Sequence, residues 1–188
     1  VVGTLMTNLA IENHFKEQPY QSSGEYDFRY DNKKAVLAQF TFFRQHFHKT
    51  NYIYGFGSTE DVPYGYNVAL TGGWFKQADL RRPYAGVNAN RYVYTNKGDF
   101  IQYFFQAGSF FYQGSMNDVT LLIGAGMFSH IFYINDIKLR QYVNISYTRL
   151  FNRLGLDPLS INNPFGLRYF SSDSATGDRR ISLHTETN

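Results

Sequence analysis

Two pairs of side chains in this chain are spaced to do chemistry together. His46 and His48 lie two residues apart in an aromatic stretch, so on a strand both rings share a face and could hold one metal ion. No third ligand accompanies them, and a pair on a rim or polar wall is the plainer reading. His184 and Glu186 repeat the spacing and could serve as an acid–base pair, although a hydrated wall explains the same residues. Gly124-Ala125-Gly126 has the glycines of a phosphate loop, but no helical pattern follows, and strand glycines usually mark close packing or a bend. Asn144-Ile145-Ser146 matches a glycosylation sequon in mid-strand. Arg81-Arg82 and Arg179-Arg180 are too short for a nucleic-acid footprint and suit a loop or rim. Ser, His and Asp residues are present, but none stands in a nucleophile-elbow context. We therefore expect no catalytic residues, no metal, no cofactor and no nucleic-acid partner.

The elements that carry these residues are strands. From Asp118 to Leu150 the chain reads as two long strands, 119–133 and 137–150, folded on the turn Asn135-Asp136. In the second, Lys138, Arg140, Tyr142, Asn144, Ser146 and Thr148 alternate with Ile137, Leu139, Val143, Ile145 and Tyr147, and Gln141 is the one polar intruder. Successive side chains of a strand face opposite sides, so this is one wet wall and one greasy wall. Soluble strands cluster near roughly 5–6 residues, whereas a tilted strand crossing a bilayer needs roughly 9–11. Length and alternation together predict an antiparallel transmembrane β-barrel.

Composition bounds the alternatives. Aromatic residues make up 19% of the 188 positions, with 16 Tyr and 18 Phe, and these rings suit pleated surfaces and the bilayer interface. A mean hydropathy of −0.39 is compatible with a barrel, because only alternate residues meet lipid. No run approaches the ~20 apolar residues of a spanning helix. The net charge of +3 is scattered rather than blocked, which argues against nucleic acid or an acidic partner. With no cysteine there is no disulfide scaffold and no thiol zinc site. The chain starts at Val1 with no signal peptide and stops at Asn188 inside an alternating strand, so we expect an internal piece of a longer protein.

In chain order, Val1–Leu9 is a short strand, and Ala10–Ser23 a loop. Glu25–Tyr30 alternates, and Ala35–His48 is a long aromatic strand. Asn51–Pro63 is a connector with a further short strand at Tyr52–Phe56. In Tyr64–Trp74, the residues Tyr64, Tyr66, Val68, Leu70, Gly72 and Trp74 share a face opposite Asn67, Ala69, Thr71 and Gly73. Strands at Tyr84–Thr95 and Phe100–Tyr112 flank the tight turn Asn96-Lys97-Gly98, whose glycine suits positive φ. The lipid side of Phe100–Tyr112 is undecided, since both faces carry apolar residues. Loops fall at Gln77–Arg82 and Gln113–Asn117, a long one covers 151–180, and Arg179–Thr187 alternates again, with Arg180, Ser182, His184 and Glu186 on one face. The joins read as alternating short and long, as barrels with one short-turned rim do. The expectation is a single β-barrel domain over 1–188, with about eight or nine strands in view. Arg140, Tyr142, Asn144, Ser146, Arg180, His184 and Glu186, with Lys138, would line the lumen. Tyr64, Tyr66, Val68, Leu70, Trp74, Leu139, Val143 and Ile145 would meet lipid.

Gly166-Leu167-Arg168-Tyr169-Phe170, followed by Gly177-Asp178-Arg179-Arg180-Ile181-Ser182-Leu183-His184-Thr185-Glu186, resembles the signature of the Omp85, or bacterial surface-antigen, barrel superfamily. Leu70-Thr71-Gly72-Gly73 has a similar flavour. Tyr169 stands where that family usually has glycine. The resemblance implies a barrel of about sixteen strands in a Gram-negative outer membrane. In it, 151–180 would be the sixth extracellular loop, plugging the lumen through Arg168, Tyr169 and Phe170, and 181–187 would begin the twelfth strand. Arg168 would then reach an acidic residue inside the barrel, because a partly desolvated charge needs a counter-charge. The implied activity is insertion or translocation of polypeptide. The implied partners are outer-membrane lipid, unfolded or β-rich client polypeptides, and periplasmic or lipoprotein accessory subunits. The rival readings are a passive channel, a barrel anchoring a fused domain such as a hydrolase, and a soluble glycan-binding β-sandwich.

Overall fold

The computed structural model describes residues 1–13, 32–51, 58–77, 79–154, 159–160 and 176–187. Among them the strands are β1 (Val2–Asn13), β2 (Lys33–Asn51), β3 (Thr59–Gln77), β4 (Leu80–Tyr94), β5 (Phe100–Tyr112), β6 (Ser115–Phe128), β7 (Phe132–Ile134), β8 (Ile137–Leu139), β9 (Gln141–Phe151), β10 (Leu159–Ser160), β11 (Thr176–Gly177) and β12 (Arg179–Thr187), and no described residue is helical. Eight of them form one antiparallel sheet in the order β1-β2-β3-β4-β5-β6-β9-β12; β7 pairs with β8 and β10 with β11. The fold is therefore all-β, and the eight long strands form a single sheet rather than two sheets packed face to face. Among the described residues β1 and β12 are its edges and are not paired with each other.

Sidedness follows the alternation. Asn67, Ala69 and Thr71 share one face with Asn88, Asn90, Phe104, Leu122, Ser146 and Ser182, which the strand registers bring side by side; we call it the inner face. The other face carries Tyr66, Leu70, Trp74, Ile123, Ile145, Ile181 and Leu183, all exposed, with Trp74 at 65% and Ile181 at 74%. In β5 it is Tyr103 and Phe105 that point outward, while Phe100 and Phe104 are buried on the inner side, which decides the orientation the sequence left open. The inner face is not uniformly wet. Val62 and Phe100 anchor a small core with Tyr92, Tyr94 and Phe128, so aromatic packing closes one end of the wall.

Several expectations need correcting. Pro63 lies within β3, which begins at Thr59, so the connector after β2 is shorter than Asn51–Pro63. The alternation in β3 reverses at Gly65 (φ +134), where a Cβ would sit 2.0 Å from the Arg44 carbonyl oxygen. Tyr64 is therefore set apart from the outward row beginning at Tyr66, and is partly buried, its ring stacked 5.3 Å from that of His46. The Asn135-Asp136 turn exists, but its hairpin is broken: β6 and β9 pair only as far as Phe128 and Tyr142, and Lys138 and Leu139 sit on the separate β7–β8 tip. Lys138 is exposed there rather than part of the main inner wall.

The joins do not alternate as expected either. At one end of the sheet, the hairpin rim, lie the joins 52–58 and 95–99 and the β7–β8 hairpin. At the other, the tight-turn rim, Gln77 and Leu80 pair directly across a two-residue join, and Gln113 (φ 51) and Gly114 (φ 78) form a two-residue turn between Tyr112 and Ser115. Positive φ at both central residues is what a twisted two-residue hairpin requires. The expected loops 77–82 and 113–117 thus shrink to two-residue joins, and Gln77 and residues 80–82 and 115–117 belong to the strands. The strands expected at Glu25–Tyr30 and Tyr52–Phe56 lie outside the described residues. So do Arg168, Tyr169 and Phe170; of the long loop, the two-residue β10–β11 ladder is described.

Candidate functional site

The inner wall is built from rows of directly paired residues. One row runs Asn67, Asn90, Phe104, Gly124, Ser146, Ser182 from β3 to β12. Asn90 Nδ2 donates to Asn67 Oδ1 (3.0 Å) and Asn88 Oδ1 (2.6 Å), and Ser146 Oγ lies 2.6 Å from Ser182 Oγ. Gly124 is in this row because the Phe104 ring lies over it: a Cβ there would fall 2.3 Å from the ring and 2.5 Å from the Ile145 carbonyl oxygen. That accounts for the glycines of 124–126 as close packing. A second polar group joins Gln39, Thr41 and Thr71 by hydrogen bonds of 3.2 Å each. Buried polar groups in such a wall must find partners, and these do.

Toward the hairpin rim the wall becomes aromatic and charged. Tyr142 packs on Phe128 (4.5 Å) and meets His184 edge-on (5.5 Å), with Asn144 opposite His184 and Glu186 opposite Tyr142 in register. No hydrogen bond joins His184 to Glu186 among the described residues, so the geometry brings the pair onto one face without coupling them as acid and base. His48 stacks on Tyr94 at 3.7 Å, while His46 stacks on Tyr64. Among the described residues no three His, Asp or Glu side chains converge as a metal site. Arg140, 4% exposed, donates through Nη1 to the Asn51 carbonyl at 2.9 Å. Flat, the five strand spacings from β2 to β9 would span about 24 Å. One arginine bridging them means that the inner face is drawn together at this rim. Beside it His130 donates its backbone N–H to Asp99 (2.7 Å), and the His130 ring Nδ1 lies 2.9 Å from the same oxygen. These hydrogen bonds, the ring's first, hold the Asp99 carboxyl below the usual carboxylate range.

At the tight-turn rim the device differs. Arg82, 3% exposed, pairs with Asp118 and stacks its guanidinium 4.4 Å from the Phe110 ring. Asp118 (φ 48) is the extra residue of a bulge, where the β5–β6 register shifts between Gly108 and Phe110. The bulge turns its carboxylate inward, and its other oxygen accepts the Leu154 N–H at 2.7 Å. Arg180, buried, donates to Thr148 Oγ1 at 3.3 Å.

Of the inner-wall residues expected from sequence, Arg140, Tyr142, Asn144, Ser146, Arg180, His184 and Glu186 share this surface, and Lys138 does not. Of the outward set, Tyr66, Leu70, Trp74 and Ile145 are exposed, Val68 and Val143 are partly covered by their neighbours, and Tyr64 and Leu139 stand apart as described. Gln141, the polar intruder, is explained by Thr187 opposite it, whose hydroxyl donates to Gln141 Oε1 at 2.6 Å. Sequence reading missed Arg82–Asp118, Asp99–His130 and the asparagine ladder. Their members sit 36, 31 and 23 residues apart and meet only once the register is known. No family model, curated protein or solved structure matches this chain.

Proposed function

We propose that this chain forms part of the wall of a transmembrane β-barrel in a bacterial outer membrane, acting as an Omp85-like pore that inserts or translocates polypeptide. The observation that carries the membrane reading is the outer face of one eight-stranded sheet, where large apolar side chains from Leu70 and Trp74 through Ile123, Ile145 and Ile181 stand exposed. Each such side chain left in water forgoes about 1.5–3 kcal/mol of burial, so a continuous field of them calls for an apolar medium. In lipid every backbone group must be paired, so both edges, β1 and β12, need further strands to close the wall. Lumenal water would be met by the Asn, Gln, Ser and His side chains of the inner rows. The translocation reading is supported by the Arg168 loop motif and the Gly177–Glu186 run, in which β12 begins at Arg179, two residues after Gly177. Its partners would be outer-membrane lipid, β-rich clients and periplasmic or lipoprotein accessory subunits.

The chain has no cysteine, so single thiols test the sidedness cleanly. In liposomes, Asn144→Cys should react with a water-soluble maleimide and Ile145→Cys should not. Equal labelling of the two by the aqueous reagent overturns the membrane reading. For the activity, proteoliposomes should speed folding of an added β-barrel client, and Arg168→Ala should slow that step. A wild-type chain that inserts but leaves client folding unchanged makes the barrel a passive pore.

A further inference from the structure

The outer face carries a charged interruption. One directly paired row runs Arg44, Tyr66, Arg91, Tyr103, Ala125, Ile145 from β2 to β9. Arg44, Tyr66, Arg91 and Tyr103 are all exposed, and among the described residues neither arginine pairs with a carboxylate. Arg44 and Arg91 lie two strand spacings apart, about 10 Å, with Tyr66 between them. Directly below, toward the tight-turn rim, is an open apolar groove of about 750 Å³. Its walls are Tyr66, Tyr103, Phe105 and Ile123, and Ala89 and Ala125 leave its floor low.

We propose that this row and groove bind one anionic lipid, with its phosphate between Arg44 and Arg91 and an acyl chain along the groove. The site rests on the membrane reading above and deepens it. A guanidinium on a lipid-facing wall is costly unless it reaches the interface and a counter-charge, and a phosphate offers it two parallel hydrogen bonds. The height agrees. From Pro83, which pairs with Trp74, to Arg91 is roughly 27 Å of strand, or about 20 Å of height at a 40° tilt, against an apolar band of about 25 Å. Trp74 then marks one interface, and Arg91, flanked by two tyrosines, extends toward the other. A zwitterionic lipid could fill the groove, but its choline or ethanolamine cation would repel the same arginines.

The test uses the complete barrel to which this chain contributes its wall, in nanodiscs of equal phosphatidylcholine and phosphatidylglycerol, with the lipid retained after detergent exchange read by native mass spectrometry. Phosphatidylglycerol should be enriched in the wild type. Arg91→Gln and Arg44→Gln should each cut the enrichment about fivefold, and Arg91→Lys should keep most of it. Ala125→Leu should displace the lipid with both charges intact, and millimolar inorganic phosphate should not compete. Equal retention of the two lipids, unchanged enrichment in the double arginine variant, or full competition by free phosphate each overturns the site while the membrane reading stands. A complete barrel carrying this wall that never enters bilayers overturns both.

Discussion

The two rims solve one problem in different ways. Each must brace the inner face across strands with an arginine that is almost wholly buried. At the tight-turn rim Arg82 meets a carboxylate, delivered by the bulge at Asp118. At the hairpin rim Arg140 meets, among the described residues, a backbone carbonyl, that of Asn51, which is partly open to water. The difference sets what each rim loses when its brace is cut. Removing Asp118 strands a buried charge, whereas removing Arg140 leaves a neutral acceptor that water can satisfy.

The largest expected effect therefore belongs to Asp118→Ala. It should destabilise the folded chain by about 3–5 kcal/mol, because among the described residues Arg82 keeps only the Phe110 ring as a partner. Denaturant unfolding in detergent micelles measures it. Combining it with Arg82→Met should recover part of the loss, since the pair then leaves no uncompensated charge. A single-variant cost below about 1 kcal/mol would mean that the pair behaves as a surface one and that the rims are equivalent.

Gly65→Ala comes second. The hairpin rim depends on the reversal at Gly65, which brings Val62 to 1% exposure inside. With φ at +134 and a Cβ 2.0 Å from the Arg44 oxygen, alanine should cost about 1–3 kcal/mol. Gly114→Ala, at φ +78 with open space around it, should cost less than Gly65→Ala. If the two substitutions cost the same, neither the wider φ nor the close approach to Arg44 constrains Gly65.

These positions also show where the sequence was legible. Period-two alternation found β5 and β12 residue for residue, and put Ile145 outside and Ser146 inside, because each strand must separate apolar from polar neighbours locally. Alternation carries only parity, and any bulge changes parity without changing composition. The bulge at Asp118 and the break at 129–131 were therefore invisible. So was the reversal at Gly65, which takes Tyr64 out of the outward row, and the break that puts Lys138 and Leu139 on a separate hairpin rather than on the wall. Gln113–Asn117 reads as a loop by its polar residues, yet Gln113-Gly114 closes it in two. Arg82 looked like a rim charge because its partner lies on β6, two strands away in the sheet. The rows of the inner wall are properties of register, which depends on several strands at once.

Arg140→Met tests the weaker brace. Methionine keeps much of the volume, removes a desolvated charge and loses one hydrogen bond, so the expected change is about 1 kcal/mol or less. Its more specific consequence is geometric. Among the described residues no hydrogen bond would then bridge the β2 and β9 ends at the hairpin rim, and a spin-label pair at Asn51 and Gln141 should show a longer and broader distance distribution. An unchanged distribution would assign the curl of the sheet to the Val62 and Phe100 core instead.

The smallest effect is the pH dependence of the hairpin rim. Asp99 is held below the usual carboxylate range by His130, so the folded chain binds fewer protons there than the unfolded chain in mild acid. Its contribution is fully present above the unfolded carboxylate range and is lost as pH falls through the depressed value. The carboxylate is near the surface, so the size should not exceed about 1 kcal/mol. Asp99→Asn should remove that acid-side slope while leaving stability at neutral pH nearly unchanged, because the amide oxygen can still accept the His130 N–H. Unfolding curves of the wild type and of Asp99→Asn, collected from neutral pH into acid, measure it. If the Asp99→Asn curve keeps the wild-type acid slope, the proton uptake lies elsewhere than at Asp99.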